Sequence, residues 1–257
     1  MINVKLRCDS LLKQVGKFSL YGHYIASRGR MDLSDVRKAY EGRNTPMLES
    51  DLMSKDPFTI FDHWFRLAKS SVPETYEINA MCVSTATPNA VPSSRMVLLK
   101  AYNADGFQFF TNYDSRKGKD LAQNKCISVL FYWPWLNRQV RIEGAAERLP
   151  MTDADTYWSK RPKASQASAA ISKQSERVDS RKTLENLVSQ FNNKDVPRPE
   201  NWGGYNIIPS QFEFWAGQTD RLHDRIVFRL PADSNETADG VLTHQGENGW
   251  LYERLQP

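Results

Sequence analysis

Near the C-terminus the chain reads FEFWAGQTDRLHDRIVF, Phe212 to Phe228. Both ends pattern as strands, one alternating and one β-branched. A surface hairpin needs only one or two polar turn residues. This one holds Asp220, Arg221, His223, Asp224 and Arg225, and the chain has only four histidines. In an extended segment Arg221, His223 and Arg225 share one side, while Leu222 and Asp224 face the other. Two arginines, two carboxylates and an imidazole beside Trp215 are more than a turn requires.

Other stretches carry cations where apolar residues are expected. In PSSRMVLLK, Arg95 lies within a strand of Met96, Val97 and Leu98, and Lys100 closes it. A cation in an apolar strand is costly unless it meets an anion. In FFTNYDSRKGKDL a strand ends at Phe110-Thr111, and Arg116 and Lys117 follow in a helix that Asp114 or Ser115 would cap. A helix N-terminus with cations forms a phosphate site. Arg95, Thr111, Arg116 and Lys117 stand at consecutive strand ends, which a barrel would gather into one anion pocket. Gln139 in NRQVRIEG and the Gln174-Ser175 pair in KQSE present both donors and acceptors to the edge of a heterocycle. In YWSKRPKASQ, Tyr157 and Arg161 share a helix face, Pro162 stops that helix, and Ser165 returns toward the same spot. Phenol, guanidinium and hydroxyl make a second phosphate site. Taken singly, each of these residues has an ordinary alternative as a salt-bridge partner, a solvated cation or a strand-surface amide.

Composition narrows the class. The net charge of +4 over 257 residues suits anionic ligands but is too weak to argue for nucleic acid. Dinucleotide and P-loop fingerprints, HExxH and GxSxG are missing, and His23, His63, His223 and His244 lack metal-ligand spacing. The three cysteines contain no CxxC pair; Cys82 and Cys126 lie in apolar runs and read as buried thiols, which points to a reducing compartment such as the cytoplasm. Residues 1–30 carry six Lys and Arg against the single acid Asp9. That composition fits either a mitochondrial targeting peptide or a disordered basic tail.

The positioning elements follow from periodicity. Asp32-Leu33-Ser34 opens a short helix to about Tyr40, and Gly42 ends it. Asp56-Pro57 caps an amphipathic helix to about Ser70. Strands are predicted at 79–85, 93–102, 107–111, 127–133 and 138–149, with Asp105-Gly106 as a hairpin turn. Residues 114–124, 152–161 and 180–191 read as helices. Strands return at 205–208, 212–215, 226–230 and 250–254, with a polar loop over 231–248. Hairpins rather than βαβ units predict a closed antiparallel barrel ringed by helices. Residues 31–257 read as one domain.

RMVLLK, FFTNYDSRKGK, FYWPWLNRQVRIEG, YWSKRPKASQ, WGGY, EFWAGQ and RLHDRIVF, closing with WLYERLQP, occur in that order. From about residue 32 to Pro257 the chain resembles the pyridoxine (pyridoxamine) 5′-phosphate oxidase family. The resemblance implies a β-rich α+β fold, the six-stranded-type FMN-binding split barrel with surrounding helices. It also implies a homodimer with FMN at the subunit interface. The implied reaction oxidises pyridoxine or pyridoxamine 5′-phosphate to pyridoxal 5′-phosphate, by hydride transfer from C4′ to flavin N5. Oxygen then reoxidises the flavin to give peroxide, and the amine substrate also releases ammonia. No nucleic acid, membrane or metal is implied.

Carried over by position, Arg95, Met96, Val97, Leu98, Phe110, Thr111, Arg116, Lys117, Gln139, Gln174, Ser175, Trp215 and Arg225 match FMN-contacting positions. Lys100, Tyr157, Arg161, Ser165 and the run Arg221, Leu222, His223 match substrate positions. Arg221 and His223 are the candidate catalytic pair, for the 4′-substituent and the ring 3-oxygen. Arg37 and Tyr40 match an N-terminal segment that closes over substrate. The turn from Asp220 to Arg225 is thereby expected to lie over the stacked rings. The family commonly has Asn where Asp220 stands, and a carboxylate there would soften the positive field at Arg221. Competing readings are a split-barrel protein that binds FMN or pyridoxal phosphate without turnover, a reductase of the same fold using deazaflavin or haem, and a nucleic-acid binder. The Tyr157, Arg161 and Ser165 set argues against the second, and the mild charge against the third.

Overall fold

The structure, a computed structural model, describes residues 32–36, 40, 45–191 and 195–257. Two units are distinguished, Met1–Ala39 and Tyr40–Pro257. In the first, Ser34 and Asp35 form a turn, with the Ser34 N–H donating to Asp32 Oδ1 at 2.9 Å. The helix predicted over 32–40 is a turn in its described part, closed by the Val36 N–H donating to the Leu33 carbonyl at 3.1 Å; residues 37–39 lie outside the described residues, as do Cys8 and Gly42. Among the described residues no helix is long and apolar enough to cross a membrane.

The second unit opens with helix α1 (Pro57–Ser70). Asp56 caps it by accepting the Phe58 N–H, and Pro57 stands where no donor is needed. Ile60, Phe61, Trp64 and Ala68 recur at helical spacing and are buried. Phe61 packs edge-on against Phe107, Phe131 and Tyr102, with ring centroids 4.8–5.3 Å apart. Such pairs contribute about 0.5–1.5 kcal/mol each beyond the area they bury.

Ten strands form one antiparallel sheet in the order β2-β1-β5-β6-β7-β8-β10-β9, with β4 on β7 and β3 on β4. They are β1 (Ala80–Ala86), β2 (Pro92–Leu98), β3 (Ala101–Asn103), β4 (Gly106–Asn112), β5 (Cys126–Trp133), β6 (Arg138–Arg148), β7 (Trp202–Ala216), β8 (Asp224–Arg229), β9 (Thr243–Gln245) and β10 (Leu251–Arg254). The helices are α2 (Arg116–Gln123), α3 (Met151–Ser159), α4 (Lys163–Ile171) and α5 (Arg181–Ser189).

The predicted closed barrel is corrected: β2 lies against β4 without pairing, so the sheet does not close. The predicted strand 93–102 is two strands. Chain direction breaks at Leu99-Lys100, so that β2 pairs with β1 while β3 pairs with β4. Conversely, the two strands predicted at 205–208 and 212–215 are one. The β6–β7 register shifts between Glu143 and Gly144, where Gly144 pairs with Pro209. A bulge accommodates the proline, which has no N–H for a ladder. A Cβ on Gly144 would lie 2.0 Å from the Ile208 carbonyl oxygen, so only glycine fits there. The predicted polar loop also contains β9. Cys126, expected to be buried, begins β5 on its outward side and is exposed, while Cys82 is half-buried.

β7 is the spine of the fold. It pairs with β6 along most of its length, with β4 at its first half and with β8 at its second. Its two ends carry the two halves of the candidate site.

Candidate active site

At the first end of β7 is a cavity of about 670 Å³, within the usual range for small-ligand sites. Met96, Val97 and Leu98 of β2, Phe110 and Thr111 of β4, Lys117 and Gln174 line one part of it. Lys100, Tyr157, Arg161 and Ser165 line another. Eleven sequence-predicted residues from distant parts of the chain thus share one cavity.

The anion end is built on the α2 N-terminus. Ser115 caps α2 by accepting the Gly118 N–H at 3.3 Å. Lys117 is buried, and its Nζ donates to Gln174 Oε1 at 2.7 Å, Thr111 Oγ1 at 2.9 Å and Ser115 Oγ at 3.3 Å. All three acceptors are neutral. Arg95 donates to Thr85 Oγ1 at 2.9 Å, Thr85 donates to the buried Asp120 at 2.7 Å, and Arg116 Nε binds the same carboxylate at 2.9 Å. Asp120 therefore ties Arg116 to the Arg95 network. The Arg116 N–H donates to Ser175 Oγ at 3.1 Å. Among the described residues neither Lys117 nor Arg95 forms an ion pair with a carboxylate. A buried cation with neutral neighbours leaves positive charge to be met by a ligand anion.

Burial pushes Lys117 down to about 8, and the charge of Arg95 adds to the effect. The free site therefore holds this proton less tightly than an ordinary lysine. A dianionic phosphate binds the ammonium form. Its affinity should be constant below about pH 8 and fall above it, by about tenfold per pH unit until the bound-state pKa is reached. A titration of the site's affinity for a phosphate monoester from pH 7 to pH 10 checks this. An affinity flat to pH 10 would remove Lys117 as the titrating group.

The second phosphate set lies on α3 and α4. Arg161 sits over three rings, 5.0 Å from Trp202, 5.8 Å from Trp158 and 5.9 Å from Tyr157. Its Nη2 donates to the Ser165 carbonyl at 3.2 Å, and its buried Nε has no acceptor among the described residues. Lys100 Nζ lies 5.8 Å from the Tyr157 ring. Phe110 stacks on Tyr157 at 4.2 Å, so a residue of each predicted set shares one aromatic wall. The predicted helix extends to Arg161, and no element is predicted over 163–171. In the structure α3 ends at Ser159, and Pro162 starts α4 rather than merely stopping its predecessor. Ser165, Ser168, Ala169 and Ser172 line the cavity from α4 and the residue that follows it. Their i, i+3, i+4, i+7 spacing was a legible helical signal. Trp202, opening the WGGY stretch, was also missed; it lines the cavity beneath Arg161.

The remaining predicted residues are elsewhere. Gln139, Trp215 and Arg225 form one transverse row with Tyr132, which was not predicted, since Tyr132 pairs with Gln139, Gln139 with Trp215 and Trp215 with Arg225. The row crosses the far end of the 15-residue β7, so that Trp215 and Trp202 are separated by roughly 40 Å of strand path at ~3.3 Å per residue. None of these residues lines the cavity that holds Lys117 and Arg161.

The turn before β8 belongs to this second group. It is not extended, as the alternation argument required. Arg221 has φ of 71°, the left-handed region that is unfavourable for a side-chain-bearing residue. The geometry is held by Asp220, whose Oδ1 accepts the Leu222 N–H at 3.0 Å. An Asn side chain offers the same acceptor, so Asp220 is a turn former in place of Asn. Arg221 and Leu222 are exposed. The Gln218 N–H donates to His223 Nδ1 at 3.0 Å, which leaves Nε2 as the protonated nitrogen of the neutral ring. His223 lies 5.1 Å from the Trp215 ring and 5.5 Å from Tyr40, and Tyr40 is 6.0 Å from Trp215. Tyr40 thus joins this group, and Arg37 lies outside the described residues. Asp224 is buried and anchors the turn, accepting from Gln218 Nε2 at 2.7 Å and Arg254 Nη1 at 2.8 Å.

Comparisons with known proteins give the family. A family model described as pyridoxamine 5′-phosphate oxidase matches residues 72–194. A second, described as the pyridoxine 5′-phosphate oxidase C-terminal dimerisation region, matches residues 202–257. The chain is 46% identical over 239 residues to the pyridoxine-5′-phosphate oxidase of Bos taurus, covering 91% of each chain. It is 45% identical to the pyridoxine/pyridoxamine 5′-phosphate oxidase of Bombyx mori, covering 88% of this chain and 90% of that one. Among solved structures it resembles PhzG of Burkholderia lata in complex with tetrahydrophenazine-1-carboxylic acid. The TM-score is 0.72 at 28% identity, covering 84% of this chain and 99% of that one. With the cavity, the split sheet and the matched segments in agreement, this chain belongs to the pyridoxine/pyridoxamine 5′-phosphate oxidase family.

Proposed function

We propose that this protein oxidises pyridoxine 5′-phosphate and pyridoxamine 5′-phosphate to pyridoxal 5′-phosphate, with FMN as cofactor and oxygen as final acceptor. Each turnover consumes one O2 and yields one H2O2; the amine substrate also takes up water and releases ammonia. The observation that carries the reading is one cavity with two cationic stations, Lys117 at one end and Arg161 with Lys100 at the other, where two phosphates can be met; Arg95 stands outside the lining, linked to the α2 start through Thr85 and Asp120. The donor set fits FMN: a capped helix start and a carboxylate-free lysine for phosphate, with amides at Gln139 and Gln174 for ring edges.

FMN, when bound, supplies the hydride acceptor and the reaction with oxygen. The chain's residues do the rest. Lys117, Thr111, Arg116, Ser175 and Arg95 would hold its phosphate. Arg161, Tyr157, Ser165 and Lys100 would hold the substrate phosphate and so fix the reach of C4′. Such positioning supplies on the order of 7–11 kcal/mol at its limit. His223, protonated at Nε2, is a donor for the ring 3-oxygen. Arg221 would orient the 4′-substituent and ease loss of its proton. Because the group around Trp215 stands at the far end of β7, a homodimer in which each cavity receives Gln139, Trp215, Arg221, His223 and Arg225 from the other chain completes the site. The match to a dimerisation region supports this.

The test is a visible spectrum of the purified protein, followed by pyridoxine 5′-phosphate in air with peroxide and pyridoxal phosphate measured together. A yellow protein forming both in equal amounts is expected. A yellow protein forming neither would make it a flavin-binding protein without this turnover. A colourless protein that takes up no FMN would overturn the site.

A further inference from the structure

Trp215 and Arg225 are neighbours in a row whose residues all face away from the core. Two residues earlier on β7, on that same face, lies Glu213. Its neighbours on the core face, Phe212 and Phe214, are fully buried aromatics, as strand alternation requires. Glu213 itself is only 4% exposed, unusual for a carboxylate on the outer side of a strand. The reason is two guanidinium groups. Arg141, its direct partner on β6, donates through Nη2. Arg225, diagonally placed on β8, donates through Nε to Oε1 at 3.1 Å and through Nη2 to Oε2 at 3.2 Å. One buried carboxylate thus serves two arginines, and Arg141 also pairs with Glu143 at 3.4 Å, which leaves Glu213 as the carboxylate that holds Arg225.

We infer that Glu213 is a positioning residue for the flavin: it fixes the plane of Arg225 and thereby the direction of the N–H groups that Arg225 offers the ligand. This rests on the reading of Arg225 as an FMN-holding residue. A guanidinium has five N–H donors in a rigid fork. Glu213 takes two of those of Arg225, and the Gln256 carbonyl takes a third from Nη1 at 2.8 Å. What remains is one hydrogen on each terminal nitrogen, in a plane set by the fork-to-carboxylate geometry. Without the carboxylate, the guanidinium keeps one fixed bond and turns about it. In Glu213→Gln the amide NH2 would additionally face a donor. The effect on the ligand therefore passes through Arg225, which separates this role from a general stabilising one.

The experiment is a double-mutant cycle on the full-length protein, reading FMN Kd by quenching of flavin fluorescence and the position of the bound-flavin absorption band. Glu213→Gln is expected to weaken FMN about tenfold or more and to shift the band. Arg225→Ala is expected to weaken it at least as much. The double variant should then match Arg225→Ala within about twofold, because the carboxylate has nothing left to orient. Glu213→Asp keeps the charge and should recover part of the affinity; it carries the same cycle if Glu213→Gln does not fold. Fully additive losses would overturn the inference. So would an unchanged Kd in Glu213→Gln when Arg225→Ala is weakened. An unchanged Kd in Arg225→Ala would instead overturn the flavin reading of this face, and the clamp with it.

Discussion

Arg221→Ala should lower kcat for pyridoxine 5′-phosphate on the order of a hundredfold or more, the span usual for a group that assists proton movement at the reacting carbon. FMN affinity should stay within about twofold, since Arg221 is exposed on the turn and is assigned to the substrate's 4′-substituent, not to the flavin. The backbone adds a reason for the size of the effect. Arg221 holds a left-handed φ that alanine also tolerates poorly, so the substitution removes the guanidinium without relaxing the turn. The bonds that shape the turn, from Asp220 to Leu222 and from Gln218 to Asp224, remain in place. Steady-state kinetics with a parallel flavin titration checks this. Equal losses in kcat and in FMN affinity would mean that Arg221 acts through the flavin site and not on the substrate.

The second large effect is complementation between inactive chains. Lys117→Met should abolish FMN retention, because it removes the buried cation from a phosphate site; losing such a charged hydrogen-bonded partner costs roughly 2–5 kcal/mol. Arg221→Ala should be inactive for the reason above. Each lesion lies at a different end of β7. In a mixed dimer, co-expressed with two tags and purified through both, one cavity carries both lesions and the other carries neither. Such heterodimers should show about half the wild-type activity and bind about one FMN per dimer. Were each site built within one chain, the heterodimer would hold one flavin-free site and one site lacking the arginine, and no activity would return. The contrast is between half and nothing, which makes this the sharpest test of the cross-chain site.

The chemistry of this protein was legible in its sequence because charge in the wrong place is a local signal. Arg95 among Met96, Val97 and Leu98, Lys117 one residue inside a capped helix, and the RLH run between two strands each stand out against their neighbours. Most elements were legible too. Helix α1 follows from its cap and its apolar spacing, and β1, β4, β5 and β6 from alternation and turn residues. What failed were decisions that depend on long-range partners. Leu99-Lys100 divides β2 from β3 because those two strands pair with different neighbours. Pro209 does not divide β7 because β6 supplies a glycine opposite it. The sheet stays open because β2 and β4 meet without hydrogen bonds. Glu213 was passed over as a functional candidate because the alternation of FEFW assigns it to a solvent-facing position; only the register places it, buried, between Arg141 and Arg225. Side-chain chemistry is a property of the residue and its nearest neighbours, and sequence carries it. Which groups meet is decided by strand register and by the distance between the two ends of β7, and only the tertiary structure holds that.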